Sequence, residues 1–173
     1  MDRFTKLEKN VRQKGEDEKN LSVDNKNNIS EIVILPYFKD EGYFLLRYGK
    51  FPALKKGESD QYQLTCIKGE YDEESTDIQN LKRILLNETG IVLSSVYTPE
   101  INNVFYKDND GDKSKYYVCL LELNFNDYKQ SSVKSTNENR VVKVSLGDID
   151  DIKYQDLITN YMILKLKYDN NIH

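Results

Sequence analysis

The sequence predicts a mixed α/β domain in which helices pack on a sheet. Three observations carry this. Apolar residues fall in short β-branched blocks typical of strands. Two segments show apolar residues at helical spacing, one before Gly90 and one at the C-terminal end. The order is hairpin, strand, helix, several strands, helix, which differs from the regular β-α-β alternation of a doubly wound fold. There is no Gly-rich phosphate-cradling loop and no internal repeat.

The first 28 residues are dense in Lys, Glu, Asp and Asn, with only a weak helical stripe at Phe4, Leu7 and Val11; they are expected to form a flexible polar arm, with the folded domain spanning 29–173. Glu31 to Phe38 reads as a central strand, Lys39 to Gly42 as a turn, and Tyr43 to Tyr48 as the returning strand of a hairpin. A polar loop follows, then a short strand from Tyr62 to Ile67. Thr76-Asp-Ile-Gln79 has the form of a capping box, and Ile78, Leu81 and Leu85 share a helical face with Ile84 beside it. Gly90 is placed to end that helix in a left-handed conformation. Strands are expected at Ile91 to Tyr97, Val104 to Tyr106, Lys115 to Phe125 and Arg140 to Leu146, with a turn at Asp108 to Lys113 and a loop at Asp127 to Asn139. The aspartates of that turn do not keep calcium-loop spacing, because Gly111 falls too early and no helix flanks them. Tyr154, Leu157, Tyr161, Leu164 and Tyr168 recur at helical spacing and predict an amphipathic C-terminal helix.

Bulk composition narrows the function. A net charge of −4 gives no basic face for general nucleic-acid binding. No run of apolar residues is long enough to span a bilayer, and the polar start has no apolar leader core, so a cytoplasmic address is the expectation. Cys66 and Cys119 lie far apart in apolar surroundings and are expected to be reduced core residues rather than a disulfide or zinc site. The only histidine is the terminal His173, which argues against a histidine general base and against Ser-His or Cys-His pairs.

One stretch resembles the Nudix box, whose pattern is G, five residues, E, seven residues, then R-E-U-x-E-E-x-G-U with U a bulky aliphatic residue. Gly69, Arg83, Leu85, Glu88, Gly90 and Ile91 match it without a gap. The hairpin before the box and the strand, acidic turn and helix after it resemble the ADP-ribose pyrophosphatase branch. The resemblance implies a Nudix-type α/β/α sandwich with a mixed β-sheet. It also implies a pyrophosphohydrolase acting on a nucleoside diphosphate linked to another moiety, such as ADP-ribose or a nucleotide sugar, with Mg²⁺ or Mn²⁺ as cofactor. Relatives in that branch often form dimers, so a homodimer is a further expectation.

The box departs from the pattern where the chemistry resides. Ser75 stands at the upstream glutamate, Ile84 at the glutamate after the arginine, and Asn87 at the first of the paired glutamates. By resemblance, Glu88 is the principal metal ligand and catalytic carboxylate, with Asn87 and Glu74 as accessory ligands and Glu138 as a carboxylate from the loop before the last strand. Arg83 is read as a loop organiser or phosphate contact, or else as a solvated helix arginine. Arg47 and Gly69 are the substrate-binding candidates, with a solvated strand-end arginine as the plain alternative for Arg47. A single carboxylate and an amide hold Mg²⁺ weakly, because Asn contributes no charge and Ile no ligand. Two functions are therefore expected side by side. One is a Nudix hydrolase with weak or lost activity. The other is an inactive Nudix domain serving as a nucleotide-binding or protein-interaction module.

Overall fold

A computed structural model describes residues 30–51, 61–94, 99–107, 113–124, 126–130, 139–151 and 156–172. The N-terminal arm, Glu138 and the turn at 108–112 lie outside the described residues.

The hairpin forms where β-branched and turn residues place it. Strand β1 spans Ser30–Phe38 and β2 spans Tyr43–Phe51, and the turn between them closes on Gly42 at a φ of 72°, a conformation that favours glycine. The two strands pair only near the turn, at Tyr37↔Phe44 and Phe38↔Tyr43, and then splay apart. Two short strands fill the opening. Strand β3 (Gln61–Thr65) pairs with β2, and β4 (Ile67–Glu70) pairs with β1. The sequence predicts one strand here, but the chain changes partner at Cys66. The Cys66 amide, left without a ladder, donates to Thr159 Oγ1 at 2.9 Å.

Helix α1 (Asp77–Thr89) follows, with both reciprocal bonds of the capping box formed at Thr76 and Gln79 and a left-handed cap at Gly90. Strand β5 (Ile91–Leu93) pairs with β8 (Tyr128–Gln130), which lies in the segment expected to be loop. Strand β6 (Asn102–Lys107) pairs antiparallel with β7 (Lys113–Glu122), and β7 runs parallel to β1. Strand β9 (Asn139–Ser145) covers the other edge of β2. A 3-10 turn at Leu146–Asp148 leads towards α2 (Leu157–Asn170).

Among the described residues the result is a seven-stranded mixed sheet in the order β3-β2-β1-β7-β6, with β4 added on β1 and β9 on β2. Strand alternation sorts the core onto two faces. Ile32, Ile34, Leu45, Cys119 and Leu121 pack with Leu81, Ile84 and Leu85 of α1. Val33, Leu35, Phe44, Leu46 and Val118 pack with Ile158, Met162, Ile163 and Leu166 of α2. This is the α/β/α sandwich that the resemblance implies. Cys66 and Cys119 are free and buried, and burial pushes each thiol up to about 12. No helix of the described residues is long and apolar enough to cross a membrane.

The C-terminal helix corrects one expectation. Leu157, Tyr161, Leu164 and Tyr168, the stripe that predicts the helix, face outward and are 58%, 41%, 66% and 86% exposed. The face on the sheet is a second apolar line, Ile158, Met162, Ile163 and Leu166, with Thr159 among them. Thr159 matters because its hydroxyl both accepts from Cys66 and donates to Asp156 Oδ2 at 2.7 Å. Asp156 caps the helix and pairs with Lys68 of β4. That chain of polar contacts fixes the start of α2 over the break between β3 and β4, and with it the face that turns inward.

Candidate functional site

The site is organised by one line of α1. Asn80, Ile84 and Glu88 follow each other at i, i+4 and i+8, so they lie along a single face of the helix. Each meets a different part of the chain.

Asn80 is fully buried and binds the loop that precedes its own helix. Its Oδ1 accepts from the Asp72 amide at 2.9 Å, and its Nδ2 donates to the carbonyls of Asp72, Ser75 and Thr76 at 2.8, 3.4 and 3.3 Å. Arg83 adds to this hub, donating from Nη2 to Glu70 O at 2.7 Å and to Asn80 Oδ1 at 2.9 Å. Arg83 thus spans from the end of β4 to the helix. The loop has its own brace in Asp72, which accepts from the Glu74 amide at 3.0 Å and from Ser75 Oγ at 2.7 Å. These hydrogen bonds hold the Asp72 carboxyl below its usual range. Ser75, at the position of the family's upstream glutamate, is therefore spent on a loop turn.

Ile84 sits in the middle of the line, 3% exposed, against Gly69 of β4. A Cβ at Gly69 would lie 2.7 Å from Ile84 Cγ1 and 2.8 Å from its Cδ1. Any side chain at 69 would force Ile84 to shift, because the aliphatic side chain occupies the space above the strand. The position that carries a carboxylate in the family pattern is part of the hydrophobic core in this chain.

Glu88 lies at the open end of the line, half-buried in the last turn of α1. Its Oε2 is 3.2 Å from Arg47 Nη1 of β2, and the two side chains are 32% and 30% exposed. No basic residue lies in that last turn, and a carboxylate there faces the negative end of the helix dipole. Arg47 supplies the opposing charge from across the helix–sheet interface. The structure thus brings together Arg47 and Glu88, and seats Gly69 under Ile84 between Arg83's loop and that pair. Asn87 is exposed on the neighbouring face of the same turn. Glu74 precedes the helix cap, and from Thr76 to Glu88 the helix rises about 18 Å at ~1.5 Å per residue, so Glu74 is at the far end from Glu88.

Two features of this face escape a motif search. Ladder pairing sets Leu45 opposite Lys143 and Arg47 opposite Val141, which places Lys143 on the α1 face, diagonal to Arg47. Beside it Tyr43 stacks on Phe38 at 4.5 Å, Tyr128 meets Phe38 edge-on at 5.3 Å, and the Lys143 ammonium lies 4.5 Å from the Tyr43 ring centre. The alternation of Val142 and Val144 toward the other core is the sequence signal that could have placed Lys143; Tyr128 had none, because its strand reads as loop. Burial and the neighbouring Glu41 and Tyr128 push the Tyr43 hydroxyl above its ordinary range, so it stays protonated.

The donor set decides what metal chemistry these residues fit. Mg²⁺ takes an octahedron of oxygen ligands with carboxylate charge. Among the described residues no three His, Cys, Asp or Glu side chains come together in a group that could hold a metal. Glu88 is already neutralised by Arg47, Asn87 brings no charge, and Ile84 brings no ligand. The described residues do not fit a carboxylate cage.

No family model matches the chain, and no curated protein matches it. Solved structures do. The chain is similar to a NUDIX hydrolase from Nitrosomonas europaea at TM-score 0.54 and 14% identity, covering 85% of this chain and 92% of that one. It is similar to the NUDIX domain of Shewanella oneidensis NrtR, complexed with ADP ribose, at TM-score 0.55 and 15% identity, covering 90% and 97%. It is also similar to the MutT NUDIX hydrolase from Burkholderia pseudomallei at TM-score 0.53 and 14% identity, covering 80% and 97%. With the helix-on-sheet site already in place between β4, α1 and β2, these likenesses identify the fold of this chain as that of the Nudix hydrolases.

Proposed function

We propose that this chain is a Nudix-family protein that takes a nucleoside diphosphate linked to another moiety, and that its metal-dependent hydrolysis is weak or lost. The observation that carries the proposal is the Arg47–Glu88 pair. The remaining box carboxylate is balanced by a guanidinium, and a divalent cation would have to displace that guanidinium to use it. With Arg47 and Glu88 balancing each other, Lys143 leaves the α1 face a net positive charge without a metal, and the Arg47 guanidinium beside it is a group well suited to phosphate oxygens. Tyr43 and Tyr128 add aromatic surface next to Lys143. Glu138 stays in the proposal as a catalytic candidate from the loop before β9.

Isothermal titration of ADP-ribose tests this, run with Mg²⁺, with Mn²⁺ and with a chelator, alongside a hydrolysis assay. The expected result is binding of equal strength in all three conditions, turnover at background with either metal, and binding weakened about tenfold in Arg47→Ala, which loses about 1.4 kcal/mol of charge-assisted contact. Metal-strengthened binding with turnover that disappears in Glu88→Gln would overturn it in favour of a working hydrolase.

A further inference from the structure

Glu88 is held by another element and not by its own helix. It sits in the last turn of α1, where no basic residue stands. The helix dipole turns its negative end there, and the last carbonyls have no partner within the helix, so a carboxylate is repelled. The acidic residue at the other end, Asp77, lies in the first turn, where the dipole favours it. Arg47 of β2 offsets the repulsion at Glu88, with Nη1 3.2 Å from Oε2.

Arg47 can serve more than one anion. A guanidinium presents a planar fork that fits carboxylate and phosphate oxygens alike, so Glu88 Oε2 occupies a place that a phosphoryl oxygen can take. The two side chains are 30% and 32% exposed, so a ligand can reach Arg47 and Glu88 can turn into water. Lys143 extends the positive charge. It stands diagonal to Arg47 across β2 and β9, at a backbone separation of about 7–8 Å, with its ammonium beside the Tyr43 ring. An anion with two adjacent phosphoryl groups can engage Arg47 with one and approach Lys143 with the other. A single carboxylate committed to Arg47 has no second charge to offer Lys143.

We infer that Glu88 is an internal stand-in for the ligand's phosphate: it holds Arg47 until a phosphoryl group exchanges for it, and so it lowers affinity instead of supporting it. The inference rests on the reading that this face takes a phosphate-bearing ligand, and it gives the remaining box carboxylate a role that needs no metal. A competitor tied to the same chain sets a threshold. Anions that gain no more from Arg47 than Glu88 does are disfavoured, whereas a diphosphate that reaches both cations exceeds the threshold. Ion pairs as open as this one impose a factor of about three to five in affinity.

A double-mutant cycle tests the exchange, read by isothermal titration of ADP-ribose and of inorganic pyrophosphate into the full chain with a chelator present. Glu88→Gln should tighten both about three- to fivefold. In the Arg47→Ala background the same substitution should change neither, because no fork is left to compete for. Equal tightening in both backgrounds would mean simple repulsion between Glu88 and the anion, and it overturns the proposal. So does unchanged or weaker binding in Glu88→Gln; in these cases the parent chain still binds ADP-ribose and the phosphate-binding reading stands. Absence of binding in both the parent and Glu88→Gln overturns that reading as well, whereas binding that emerges only in Glu88→Gln supports the exchange. Carboxyl-carbon NMR reads the exchange directly. Saturating pyrophosphate should move the Glu88 resonance to the position it has in Arg47→Ala, and a resonance that stays in place overturns the proposal.

Discussion

The two helices of the sandwich use apolar residues in opposite ways. In α1 the buried residues are Asn80, Leu81, Ile84, Leu85 and Thr89, and one side of the helix takes up the whole of its internal packing. The rest is polar apart from Ile78 and Leu86. In α2 the buried line is matched by a second apolar line that faces outward. A helix with one apolar face has one way to dock, and its remaining residues can be spent on polar contacts such as the Asn80 hub and the Glu88–Arg47 pair. A helix with two must have its orientation chosen from outside. Here the polar chain from Cys66 through Thr159 and Asp156 to Lys68 makes the choice, because Thr159 satisfies a buried amide only when its side is turned in.

The largest expected effect tests the contrast directly. Met162→Ala, in the inner line of α2 and fully buried, should cost about 2–5 kcal/mol, whereas Leu164→Ala in the outer line should change monomer stability by less than about 0.5 kcal/mol. Urea midpoints measured at a concentration that keeps the protein monomeric separate the two. Equal losses would mean that the outer stripe is covered within the monomer, and the contrast between the helices would fail.

A smaller effect is expected at the polar hub of α1. Asn80→Ala removes a side chain that serves the Asp72 amide and several loop carbonyls, and it should destabilise the chain by roughly 1–3 kcal/mol. Amide hydrogen exchange should rise across residues 71–76. An unchanged exchange pattern would mean that the Asp72 and Arg83 contacts hold the loop unaided.

The smallest effect is at the start of α2. Burial raises the Glu31 carboxyl above its ordinary value, with Lys68 lowering it and Asp156 raising it in smaller measure. A carboxyl raised by folding contributes stability that is complete below its unfolded pKa and is lost as pH rises through the folded one. Glu31→Gln removes that loss, so its advantage over the parent should be greater at about pH 7 than at about pH 4. Paired urea titrations at the two values check the sign, and the reverse order would place Glu31 as a net partner of Lys68.

Much of this was legible locally. The Thr76–Gln79 box and Gly90 mark the ends of α1 because capping is chemistry between residues three or four apart, and the hairpin is marked by its own turn. The change of partner at Cys66 was not legible, since nothing in Tyr62 to Ile67 says that β1 and β2 have splayed apart. Strand β8 was missed for a related reason: Tyr128–Gln130 is polar and pairs only with the short β5. At the site, the box spacing named Arg83, Glu88 and Gly69 and showed that three box carboxylates are replaced, but the contacts of those residues depend on other elements.

The sequence by itself determined the ends of α1, the hairpin and its turn, the mixed α/β class, and the loss of charge at positions 75, 84 and 87. Those properties follow from backbone propensity, side-chain period and residue type, which are local. Only the tertiary structure decided that Ile84 fills the space over Gly69, that Arg47 neutralises Glu88, and which of the two apolar lines of α2 faces the sheet. Each of these is a choice between surfaces that are equally acceptable locally, and it is settled by which partner the rest of the fold brings within contact distance.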